Sequence, residues 1–188
     1  LLLSTGKAIK CARIGVVGEN DQFLPPGEIG EIVLKGKHVM MGYWKKPDVT
    51  AEVMRNGWYH TGDMGYMDEN KYLFLVDRKA DMIVTGGENV YPKETEDALY
   101  EHNAVQECAV VSAPDAKWGE RVQAAVVLKQ GESVTEQELI DHCKERLAGY
   151  KCPKAVEFWE EIPKTPIGKI IRKDVKMKYW EGQERTIG

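Results

Sequence analysis

A chain of 188 residues can hold one large domain or two small ones, and 43% hydrophobic against 30% charged residues is the composition of a globular protein with a real core. With 30 acidic and 26 basic residues the formal charge is −4, so no global field points at nucleic acid or an anionic membrane. No apolar run approaches the roughly 18 to 20 residues that span a bilayer, and Leu1-Leu2-Leu3 is too short for a signal-peptide core. The four cysteines, Cys11, Cys108, Cys143 and Cys152, form no C-x-x-C pair, which argues against zinc and disulfide frameworks and for reduced thiols in the cytoplasm.

The chain opens without methionine in what reads as a strand or loop, as expected of a piece of a longer protein. From Ala12 to about Val76 the pattern predicts β structure. Arg13 to Val17, Gly30 to Lys35 and Tyr72 to Val76 are short apolar runs separated by Gly, Pro, Asn and Asp. After Asp77 strands such as Glu107 to Val111 and Val122 to Leu128 alternate with helical periods, so a second, α+β domain is expected from Arg78. The expected division is 1–77 and 78–188. Pro92 suits the first turn of a helix running to about His102, with Glu94 and Glu96 toward its positive end. Thr135 and Glu138 form a capping box, Val134 and Leu139 sit at staple positions, and Leu139, Ile140, Cys143 and Leu147 share a face before Gly149 stops the helix. No low-complexity linker separates the domains, so the joint is short and rotation would fall on few residues.

Singly, the chemistry-bearing residues say little. Asp63 follows a glycine, where aspartate is more often a turn or cap residue. Thr85 to Asn89 lacks the lysine of a P-loop and the spacing of a dinucleotide fingerprint, so a tight turn is its better reading. Lys164 and Lys169 lie in a turn-rich stretch where lysines are usually only solvated. His38, His60, His102 and His142 show no ligand spacing, and no Gly-x-Ser-x-Gly elbow is present, so neither metal nor triad chemistry is expected.

Order and spacing change this. Gly42-Tyr43-Trp44, then Tyr59-His60-Thr61-Gly62-Asp63, then Asp77-Arg78-Lys79-Ala80-Asp81-Met82-Ile83 running into Gly86-Gly87-Glu88-Asn89-Val90-Tyr91-Pro92, and finally Pro163-Lys164-Thr165-Pro166-Ile167-Gly168-Lys169 closely resemble the adenylate-forming superfamily of acyl-CoA synthetases, peptide-synthetase adenylation domains and luciferases. The resemblance covers nearly the whole chain and is strongest, over Thr85 to Pro92, to fatty-acid–CoA ligases. It implies the end of a large domain's β subdomain followed by a small mobile α+β domain, and a ligase that activates a carboxylic acid with ATP and passes the acyl group from AMP to coenzyme A.

By the same resemblance Asp63 grips the ribose hydroxyls, as an acceptor-only carboxylate can, and Arg78 also contacts the nucleotide with its forked donors. Lys169 reaches the reacting carboxylate and the α-phosphate during adenylation, where one ammonium bridges two anions. The Gly86-Gly87 turn lines the pantetheine path, where glycine lets the backbone approach closely. Two departures stand out. Ala80 occupies the hinge position that usually carries Asp or Lys, and the phosphate loop, the segment that touches adenine and magnesium, and the acyl pocket would all lie upstream of Leu1. The 188 residues alone are therefore expected to be inactive, with Mg²⁺ held by ATP and by upstream ligands. Two rivals are an adenylation domain that loads a carrier protein, which a carrier domain after Arg185 to Gly188 would support, and a non-catalytic nucleotide-binding module.

Overall fold

The computed structural model describes residues 4–182. Leu1-Leu2-Leu3 and the chain end from Arg185 to Gly188 lie outside the described residues. The chain divides into two compact units, Leu1–Ala80 and Asp81–Gly188.

The first unit is built on an antiparallel sheet of β1 (Ala12–Val17), β2 (Gly30–Gly36), β3 (Met54–Arg55), β4 (Trp58–Met67) and β5 (Leu73–Arg78), with the short helix α1 (Pro47–Val53) before β3. β4 is its centre. One edge pairs with β2, and the other is shared by β3 near Trp58 and β5 beyond Asp63. Val16, Ile32 and Leu73 bury one face of this sheet, with Ile14, Leu24 and Met67 packed against them. β1, β2 and β5 match the predicted runs, whereas α1, β3 and β4 were not predicted. The stretch from Tyr59 to Asp63, read singly as a turn, is strand. A signal for it stood in the sequence: Asn56-Gly57, both with positive φ, is the two-residue hairpin turn that joins β3 to β4.

The second unit carries β6 (Ile83–Thr85), β7 (Glu88–Val90), α2 (Pro92–Tyr100), β8 (Val105–Asp115), β9 (Gly119–Leu128), α3 (Glu136–Lys144), β10 (Ala155–Phe158) and α4 (Arg172–Trp180). β8 and β9 form a long antiparallel hairpin, while β10 runs parallel to the far edge of β9. Both faces of this hairpin are covered. Val110, Val122 and Val126 face Leu99 of α2 and Leu139 of α3, and Ala109, Val111 and Ala125 face Val175 of α4. Strands covered on both faces need no polar alternation, which is why β8 and β9 read as nearly continuous apolar runs.

α2 starts with Pro92 at its first turn, as expected. Of the two glutamates expected toward its positive end, Glu94 lies in the first turn, whereas Glu96 lies beyond it and is buried. It is 8% exposed and accepts the Val110 N–H at 2.9 Å and the Arg172 Nε–H at 3.0 Å. The capping box at α3 is present, with Thr135 Oγ1 accepting the Glu138 N–H at 3.2 Å and Glu138 Oε2 accepting the Thr135 N–H at 2.7 Å. The helix ends at Lys144, not at Gly149. The N–H groups of Arg146 and Leu147 both converge on the Cys143 carbonyl, at 3.0 and 2.9 Å, and that shared acceptor closes the last turn. Among the described residues no helix is long and apolar enough to cross a membrane.

Candidate functional site

In the first unit, the position of Asp63 comes from an irregularity in β4. Val33 pairs with His60 and Glu31 with Met64, so residues 61–63 stand opposite Ile32 alone. The surplus bulges outward, and bulges of this kind re-aim side chains. Gly62 takes φ +72°, a conformation that disfavours any side chain there. Thr61 Oγ1 donates to the Ile32 carbonyl at 2.8 Å and accepts the Asp63 N–H at 3.1 Å, while the Gly62 N–H donates to Glu31 Oε1 at 3.2 Å. At the end of the bulge, Asp63 faces Arg78 across the β4–β5 ladder, with Oδ1 3.0 Å from Nε.

Both side chains of this pair are open to solvent, at 36% and 58% exposure, so the ion pair itself contributes little to stability. What it does is pre-orient a carboxylate beside a guanidinium, an acceptor and a fork of donors on one small surface. Tyr59 lies close by. Its phenol is raised above the usual range by a hydrogen bond with Tyr43, by burial and by the charge of Tyr43, with Asp63 adding to the effect.

Behind the pair sits a buried carboxylate to which the sequence reading assigned no role. Glu31, 7% exposed, lies 2.9 Å from the Lys79 ammonium, 3.3 Å from His60 Nδ1 and 3.8 Å from Arg55 Nη2. Burial alone would raise its pKa. The Lys79 hydrogen bond and charge, with those of His60 and the Gly62 N–H, outweigh burial and hold it below the ordinary range. Ala80 follows Lys79 in the 3₁₀ turn Lys79–Asp81 and is the last residue of the first unit.

In the second unit, Gly86 and Gly87 form the two-residue turn of the β6–β7 hairpin, both with positive φ. A tight turn is what the residues by themselves suggested. Gly86 is also pressed by the loop between β8 and β9. Its N–H donates to the Trp118 carbonyl at 3.2 Å, and a β-carbon there would fall 2.8 Å from the indole. That loop is organised by Asp115, whose Oδ1 accepts the N–H groups of Lys117 and Trp118 at 2.9 and 3.0 Å. These bonds depress the Asp115 pKa.

Lys164 and Lys169 occupy different environments. Thr165 and Lys169 close a small hairpin, with Thr165 N–H to the Lys169 carbonyl at 2.8 Å and Gly168 N–H to the Thr165 carbonyl at 2.8 Å. Pro166 and Ile167 form its tip. The Lys164 ammonium is bound to both oxygens of Glu107, at 2.6 and 2.8 Å. Lys169 is exposed, its N–H held by Thr165 Oγ1 at 3.1 Å, and among the described residues its ammonium meets no acceptor. The hairpin leads into α4, whose first residue, Arg172, is anchored to Glu96 and to Asp81. Among the described residues no three His, Cys, Asp or Glu side chains gather as a metal set.

The family described as AMP-binding enzyme C-terminal domain matches residues 94–169, and that described as AMP-binding enzyme matches residues 1–44. A long-chain-fatty-acid–CoA ligase of Bacillus subtilis (strain 168) is 53% identical over 155 residues, 82% of this chain and 28% of that protein. A feruloyl-CoA synthase of an Amycolatopsis species is 46% identical over 166 residues, 88% of this chain and 34% of that protein. The crystal structure of ATP-bound MatB from Rhodopseudomonas palustris superposes with a TM-score of 0.90 at 34% identity, over 97% of this chain and 37% of that one. The chain thus spans about a third of the length of the proteins it matches. On this evidence the chain belongs to the AMP-binding enzyme family and carries the family's C-terminal domain.

Proposed function

We propose that the protein is an AMP-forming acid–thiol ligase: it activates a carboxylic acid, fatty or related, with ATP to an acyl-adenylate and pyrophosphate, then passes the acyl group to coenzyme A. Residues 1–77 act as the end of its large adenylating domain and 78–188 as a small mobile domain, turning at Ala80. Asp63 binds the ribose hydroxyls and Arg78 the nucleotide, Lys169 bridges carboxylate and α-phosphate during adenylation, and the Gly86-Gly87 turn lines the thiol's path. Magnesium enters with ATP, on ligands from elsewhere in the protein. The reaction belongs in the cytoplasm, where the thiols stay reduced. The 188-residue polypeptide by itself is inactive.

The observation that carries this reading is the Asp63–Arg78 pair at the bulge, a carboxylate and a guanidinium aligned at 3.0 Å on an open surface. The names of the relatives, which include long-chain fatty acid and feruloyl substrates, support a carboxylate–CoA ligation. The test is Asp63→Ala in the full-length ligase, assayed by acid-dependent ATP–pyrophosphate exchange. Losing charge-assisted bonds to two hydroxyls should cost about 2 to 3 kcal/mol, or roughly 30- to 150-fold in apparent ATP affinity. Unchanged ATP affinity removes the ribose role of Asp63.

A further inference from the structure

Glu31 is buried where carboxylates are costly, and its two oxygens do different things. Oε1 accepts the Gly62 N–H at 3.2 Å, inside the bulge that sets the direction of Asp63. Oε2 accepts from the Lys79 ammonium at 2.9 Å, one residue beyond Arg78 and one before Ala80. The same carboxylate therefore touches the backbone that aims Asp63 and the side chain that ends the first unit. Lys79 is half-exposed at 49%, so burial does not hold it there; the ion pair does.

We propose that Glu31 is a positioning residue that clamps Lys79 to the first unit, so that any turning of the chain begins beyond Lys79 and leaves the Asp63–Arg78 grip on the nucleotide undisturbed. This rests on the reading of Asp63 and Arg78 as nucleotide ligands. Without the clamp, rotation at the joint would propagate back through Lys79 to Arg78, and Asp63 would lose both its partner and the fixed bulge behind it. A carboxylate is required because both oxygens must accept. An amide presents one acceptor and one donor, so in either orientation it opposes a donor with a donor, at Gly62 or at Lys79.

The test uses four variants of the full-length ligase, Glu31→Gln, Lys79→Met, Lys79→Arg and the double Glu31→Gln/Lys79→Met, with Asp63→Ala alongside. The readouts are KM for ATP, KM for the acid, kcat and melting temperature. Glu31→Gln should raise KM for ATP about tenfold, the scale of one charge-assisted hydrogen bond, with KM for the acid unchanged. Lys79→Met should raise KM for ATP by a smaller factor, and Lys79→Arg, which can still donate to Glu31, should restore it. The double variant should be no worse than Glu31→Gln alone, because the lysine acts through the carboxylate.

Multiplying effects in the double variant would mean that the two residues act separately, and would overturn the proposal. So would a fall in kcat and melting temperature with KM for ATP unchanged, which is the mark of a merely structural carboxylate. If Glu31→Gln fails to fold, the Lys79 pair decides: equal KM values for Met and Arg refute the clamp. If Asp63→Ala raises KM for ATP and the Glu31 and Lys79 variants do not, only the clamp is lost. If Asp63→Ala itself leaves that KM unchanged, the ribose reading has failed and the clamp falls with it.

Discussion

Lys169→Ala and Lys164→Ala, made side by side in the full-length protein, should fail in different ways. Lys169 stands at an exposed hairpin with no acceptor near its ammonium among the described residues, so its removal should change stability by no more than about 0.5 kcal/mol. If it bridges carboxylate and phosphate only during adenylation, losing one preorganised cation should slow that step by about 100-fold or more, or about 2.7 kcal/mol. Thiolysis of an acyl-adenylate supplied from outside should be largely spared. Lys164 is the reverse case. It holds both oxygens of Glu107 with the two side chains only 28% and 27% exposed, so Lys164→Ala strands a half-buried carboxylate. That should cost roughly 1 to 2 kcal/mol of stability, between the values for exposed and buried pairs, with the two half-reactions affected alike. Pyrophosphate release, single-turnover thiolysis and thermal melts read the three quantities. An equal fall in both half-reactions for Lys169→Ala would refute the bridging role, and an asymmetric loss confined to Lys164→Ala would transfer it to Lys164.

Gly86→Ala places a β-carbon 2.8 Å from the Trp118 indole, whereas Gly87→Ala meets nothing within 4 Å. If the turn lines the thiol's path as proposed, thiolysis should fall further in the first variant than in the second while adenylation persists in both; equal losses would exclude the Trp118 contact as the cause. Thr135→Ala removes the α3 capping box and should lower unfolding stability by about 1 kcal/mol, read by denaturant melts, with catalysis unchanged. Cys108, Cys143 and Cys152 are buried free thiols, and desolvation raises all three, Cys143 to about 11. Peptide mapping after alkylation near pH 8 should find these three unlabelled in the native protein and labelled after denaturation, because both access and thiolate are lacking. Native labelling of any of them would show that the second unit opens locally.

Much of this was legible within short stretches. The apolar runs of β1, β2, β8 and β9, the Pro92 helix start and the Thr135–Glu138 box each depend on residues within one element, and the structure forms them there. So do the Gly86-Gly87 turn of the β6–β7 hairpin and the Asn56-Gly57 turn of the β3–β4 hairpin. The spacing of the motifs along the chain also carried the family, since spacing is a property of sequence. Tertiary structure alone decided which charges meet. Asp63 is a strand residue facing Arg78 only because the β4–β5 register shifts between Met64 and Gly65, leaving Val76 over; without that shift Asp63 would face Asp77. Glu31 meets Lys79 across 48 residues, Glu107 meets Lys164 across 57, and Glu96 meets Arg172 across 76. No local pattern encodes such pairs, because propensity and periodicity act over a few residues, whereas an ion pair is chosen by how whole strands and helices stack. That stacking leaves Lys169, among the described residues, without the acceptor that Lys164 has.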